Sequence, residues 1–150
     1  MTDITDDDFL LRVYSQELIS LSEQAGTERH LVKADATARA ISPICGSEVA
    51  VELALQDGTV TGFGYEVEAC ALTKSVVAIM ASAILGKTQG EIAQAGKALR
   101  AMLEDGASPP TGDWAVLKIL APVKDYKARH NAILLPFEAV EKAFQRKMKD

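Results

Sequence analysis

Residues 45–70, CGSEVAVELALQDGTVTGFGYEVEAC, constrain the fold more than any other stretch of the chain. Val49, Val51, Leu53 and Leu55 alternate with Glu48, Ala50, Glu52, Ala54 and Gln56. A period of two puts these branched apolar residues on one face of a strand. Asp57-Gly58 then supplies a two-residue turn, because glycine accepts positive φ without a Cβ clash. The return strand alternates too, which predicts a shared face for Thr61, Phe63, Tyr65, Val67 and Ala69. Cys45 and Cys70 are the only two cysteines. With about 3.3 Å rise per residue and about 4.8 Å between strands, the hairpin is expected to bring them together at its open end.

The flanks read as helices and one further strand. Residues 6–24 form an amphipathic pattern through Leu10, Leu11, Val13, Tyr14, Leu18, Ile19 and Leu21. Residues 29–42 predict a weak, Ala-rich first strand that Pro43 ends, since proline has no N–H for the ladder. After Cys70 the period changes to about 3.6, predicting a helix from 71 to about 85. Thr88-Gln89-Gly90-Glu91 fits a capping box for a second helix to about 104. Residues 114–120 predict a short helix that Ala121-Pro122 breaks. Pro136 is expected in the first turn of a last helix, where a missing N–H costs nothing. Strands followed by helices give an α+β class: a three-stranded antiparallel sheet over 29–69, an N-terminal helix and a C-terminal helical layer. The 150 residues are expected to form one domain.

A chain of this size buries enough surface to need neither disulfide nor metal for its core. Its net charge of −5 argues against nucleic acid or an anionic membrane as a partner. No apolar run reaches the roughly 20 residues of a membrane span. The acidic start MTDITDDD is unlike a secretory leader. A cytoplasmic protein with reduced thiols is the expectation.

Motifs for phosphate, dinucleotide, serine-nucleophile or zinc-protease sites are absent. His30 reads as an ordinary surface residue, and His130 stands alone beside Arg129. Buried packing is a serious alternative for any free cysteine. Against it, Cys45 sits in a Pro-x-Cys-Gly loop. Cys70 sits where a strand becomes a helix, a position whose dipole favours the nucleophilic, metal-ligating thiolate.

Three segments carry a resemblance. Ser42-Pro43-Ile44-Cys45-Gly46-Ser47 resembles the Asn-Pro-x-Cys-Gly-Asp loop of the NifU/IscU/SufU scaffold family. Residues 64–72, GYEVEACAL, resemble its strand running into a Cys-bearing helix start. Residues 129–137, RHNAILLPF, resemble its third motif, Arg-x-x-Cys-Ala-x-Leu-Pro/Ala-Trp. The resemblance spans about residues 8–145.

That resemblance implies iron–sulfur cluster assembly rather than enzymatic catalysis. Family members take sulfur from a cysteine desulfurase, build or carry a cluster and pass it to acceptor proteins; several bind zinc. By the same resemblance Cys45 and Cys70 would bind iron, a cluster or zinc, or accept sulfur, with His130 a third ligand. The chain departs from the pattern at two ligands. Ser47 stands for the family Asp, and the third cysteine falls on Ala132, or on Asn131 if the alignment moves by one. Clusters and closed zinc sites want four ligands. Ser47, Asp125, water or a second chain would complete the shell, a homodimer supplying four thiolates. The alternative is an interaction protein that kept the fold and lost the site. An enzyme with a nucleophilic Cys70 ranks third, because no general base is evident.

Overall fold

In the computed structural model, which describes residues 15–43 and 46–149, the hairpin lies at the centre of an antiparallel sheet. Strands β3 (Glu48–Gln56) and β4 (Thr59–Glu68) pair from Glu48↔Glu68 to Gln56↔Thr59. Asp57 and Gly58 both have positive φ, 53° and 79°. That is the I′ form whose twist matches the flanking strands.

The return strand departs from strict alternation. The register slips at Ala54/Leu55, so Leu55 faces Val60 while Ala54 faces Gly62. Thr61 is the extra residue of a bulge, which reverses the phase beyond it. Val60 is therefore buried and Thr61 exposed, whereas Phe63, Tyr65 and Val67 point inward as expected.

The strand expected over 29–42 is two strands on opposite edges. β1 (Glu28–Arg29) pairs with β4 and β2 (Ala36–Ile41) with β3, giving the order β1-β4-β3-β2. The sheet thus has four strands rather than three. The connection between them crosses the outer face of the hairpin. A Cβ on Gly64 would lie 2.7 Å from Arg29 O, 2.7 Å from Glu52 Oε1 and 3.1 Å from Leu31 N. One on Gly62 would lie 3.2 Å from the Leu31 side chain. These two glycines open the track along which residues 29–31 run. Asp35 fastens its far end: its N–H donates to Leu53 O, and its carboxylate accepts the Leu55 N–H, both at 2.8 Å.

The inner face carries the core. Val49, Val51 and Leu53 of β3 and Ala36, Ala38 and Ala40 of β2 are buried beneath α4 (His130–Lys149). The alanines that weaken β2 as a sequence signal let this helix come close. Each fully buried Leu or Val stabilises by about 1.5–3 kcal/mol. Of the predicted N-terminal helix, α1 (Gln16–Ala25) is described, and residues 6–14 of that prediction lie outside the described residues. Ser15 caps α1 by accepting the Leu18 N–H, and the Tyr65 hydroxyl donates to Ala25 O at its other end, 2.8 Å away. α2 (Ala71–Ala83) packs on α1. α3 (Gln89–Asp105) opens with the expected Thr88/Glu91 capping box.

Two helical expectations need correction. Residues 112–125 form consecutive 3-10 turns that run through Pro122 instead of a short helix that it breaks. The last helix begins at His130, so Pro136 lies beyond its first turn. The carbonyl that Pro136 deprives of a helical partner belongs to Ala132, four residues earlier. Ala132 O instead accepts the Thr73 hydroxyl at 2.9 Å.

Candidate functional site

Cys70 is the N-cap of α2, with extended backbone (φ −69°, ψ 169°). Its carbonyl closes the first turn by accepting the Lys74 N–H at 3.1 Å. Ser15 and Thr88 use their side chains to cap α1 and α3, but Cys70 makes no side-chain cap bond. Its half-buried sulfur is left for other contacts. Sγ lies 3.6 Å from Thr73 Oγ1, one helical turn further on. A hydroxyl has a single hydrogen, and that of Thr73 goes to Ala132 O, which can only accept. The Cys70 S–H must therefore be the donor toward Thr73 Oγ1.

Cys45 and its neighbour Ile44 lie outside the described residues. The loop that carries Cys45 is closed at its base. The Ser42 N–H donates to Ser47 O at 2.8 Å, and the Gly46 N–H to Ser42 O at 2.9 Å. Gly46 has φ +73°, and a Cβ there would meet nothing within 4 Å. Backbone conformation rather than space asks for glycine at this turn. The pairs Ile41↔Glu48 and Glu48↔Glu68 put the loop base at the end of the sheet from which Cys70 follows. Ser47, at the family Asp position, is buried, and Asp125 is exposed.

His130 opens α4 and is 9% exposed. Its Nε2 approaches Val123 O at 2.9 Å and Lys124 O at 3.1 Å. Carbonyls only accept, so this nitrogen carries the proton, and ligation by His130 would run through Nδ1. His130 and Asn131 line a groove of about 710 Å³ between α3 and α4, with Ile92, Gly96 and Phe137 among its walls. Asn131 Oδ1 is buried without a hydrogen-bond partner among the described residues. Ala132, one of the two positions the resemblance gives the third thiolate, has a buried methyl group and offers no ligand.

A second cluster, missed in the sequence, lies on the outer face of the sheet. His30 Nδ1 is 2.8 Å from Glu52 Oε2, and its Nε2 is 3.4 Å from Glu28 Oε2 and 3.2 Å from Glu66 Oε1. One ligand atom from each of Glu28, His30 and Glu66 falls within 4.8 Å of the others, all on exposed residues. The bond to Glu52 is the main reason the His30 pKa is raised. Burial pushes the Glu52 carboxyl up, but the Leu31 N–H and the His30 ring outweigh it and hold it below its ordinary value. The available signal was spacing: Glu52 and Gly64 are cross-strand partners, and Glu28 pairs with Glu66.

No helix among the described residues is long and apolar enough to cross a membrane. The chain matches no protein-family model and no curated protein. Solved structures do match. A nitrogen-fixing NifU-like protein (N-terminal) from Brucella abortus is similar at 34% identity and a TM-score of 0.89, over 95% of this chain and 99% of that one. An iron–sulfur cluster assembly scaffold protein for the SUF system from Fervidobacterium islandicum shares the fold at 22% identity and a TM-score of 0.79. That match covers 87% of this chain and 96% of the other.

Proposed function

The chain belongs to the NifU-like family, and from that premise we propose that it serves iron–sulfur cluster assembly as a non-catalytic carrier. Its cargo is iron, a cluster, zinc or sulfane sulfur, held on Cys45 and Cys70. A cysteine desulfurase supplies the sulfur, and cluster acceptor proteins take the product. The observation that carries this reading is the setting of Cys70. Its sulfur stands at a helix start unused for capping, tied through Thr73 to the segment that matches the family's third motif.

The donor set fits a transient hold better than a resident cluster. Two thiols and His130 Nδ1 give three ligands where a cluster takes four. A homodimer sharing Cys45 and Cys70 from each chain would supply four thiolates. Ala132 at the third ligand position favours a second reading, an interaction protein of the assembly machinery that no longer holds cargo.

Iron, zinc and sulfide analysis of anaerobically purified protein decides between them. The expected result is metal or sulfane sulfur that is lost in Cys45→Ala and Cys70→Ala and retained in Glu66→Gln. No cargo in the parent protein, together with desulfurase capture by the double Cys→Ala variant, would establish the second reading. Retention in both single Cys variants with loss in Glu66→Gln would move the site to the outer face.

A further inference from the structure

The contact between Cys70 and Thr73 has a built-in conflict. With the thiol protonated, Cys70 donates to Thr73 Oγ1 and Thr73 donates to Ala132 O. A sulfur that holds metal or a persulfide has no hydrogen to donate and becomes an acceptor. The hydroxyl in contact with it is that of Thr73, at 3.6 Å, and its single hydrogen is already committed. Ala132 O depends on that hydrogen because residue 136, whose N–H would otherwise reach it, is proline. Thr73 is 0% exposed and Ala132 1%, so water offers neither group an easy substitute.

We propose that Thr73 is a positioning residue for Cys70, and that Pro136 sets which way its hydroxyl hydrogen points. While Pro136 leaves Ala132 O without a helical donor, the hydroxyl is drawn to α4 and the sulfur carries its own hydrogen. Loading Cys70 then competes with the α2–α4 contact, which weakens the hold on cargo. The sequence sets up this link through two spacings, Thr73 three residues after Cys70 and Pro136 four after Ala132. It rests on the assembly reading for its purpose, but its chemistry needs only a reactive thiol.

The test is the rate at which iodoacetamide alkylates Cys70 in the full chain carrying Cys45→Ser. The Cys70 sulfur attacks the methylene carbon, an S–C bond forms as the C–I bond breaks, iodide leaves, and the thiol proton goes to solvent. Pro136→Ala restores an N–H for Ala132 O and frees the Thr73 hydroxyl to stabilise the attacking sulfur. The expected rise is about tenfold, the scale of one hydrogen bond to a charged group. In the Thr73→Val background the same substitution should change the rate by less than about twofold, the scatter of independent sites. Thr73→Ser should restore the large effect. Thr73→Val alone orphans a buried carbonyl and could fail to fold. The Thr73→Val, Pro136→Ala double variant satisfies that carbonyl, and compared with Pro136→Ala alone it should react about tenfold more slowly. A rate change that ignores Thr73, or none at all, overturns the proposal. Intact coupling in a protein that takes up neither metal nor sulfur would overturn the assembly reading alone.

Discussion

The outer face of the sheet and the helix start beyond its end solve opposite problems with their polar groups. On the outer face, His30 has three carboxylates within reach in an open, charged setting. Near the end of the sheet, beside the α2–α4 contact, half-buried Cys70 has one hydroxyl, itself buried and bonded to a carbonyl. By ligand count the outer cluster is the richer of the two. Its groups, however, already serve a structural task. Glu52 takes both the Leu31 N–H and the His30 ring, and so binds the crossing segment to β3. The Cys70 sulfur caps nothing. A site for passing cargo is better sought where a reactive atom is left uncommitted than where the ligands are most numerous.

That contrast can be broken from either side. Gly64→Ala should have the largest effect, because the added Cβ meets backbone atoms of the crossing segment as well as Glu52. A loss of about 3 kcal/mol in chemical denaturation is expected. A change near zero would mean that the segment does not lie tight on β4. Thr73→Val should cost about 2 kcal/mol through the orphaned carbonyl, and adding Pro136→Ala should recover most of it. Equal losses in both backgrounds would deny the bond its role.

The smallest effect is a matter of pH. The raised His30 pKa stabilises the fold fully below its ordinary value of 6.5, and that share is lost as pH rises through the folded value. The lowered Glu52 pKa stabilises above its ordinary 4.5, and that share is lost as pH falls through its folded value. The pair therefore contributes most between these ordinary values. His30→Asn should lower Tm there and converge with the parent protein at alkaline pH. A Tm difference constant from pH 5 to 9 would exclude the ion pair as its cause.

Local patterns were legible wherever one interaction dictates the backbone. Asp57-Gly58, the Thr88 capping box and the strand-to-helix change at Cys70 all depend on neighbours in sequence. The departures needed distant partners. Pro136 sits deep in α4 because Thr73, far away in the chain, takes over a carbonyl. The split of residues 29–42 goes with Gly62 and Gly64, which stand unremarked inside the return strand until a second segment lies across them. Thr61 faces out because of a one-residue slip that alternation alone cannot reveal. At the site, the motif positions put Cys70 near residues 129–137, and Thr73 makes that contact; the hydroxyl between them has no signature without the fold.

Because a single continuous stretch supplies both borders of the sheet, β1 and β2 are mechanically one part, with the hairpin threaded beneath it. The hairpin can form from local contacts, but this belt cannot settle until β3 and β4 are already side by side. Once seated, it should let go at both margins in a single cooperative opening, so amide exchange at Arg29 and at Ala40 should share one free energy.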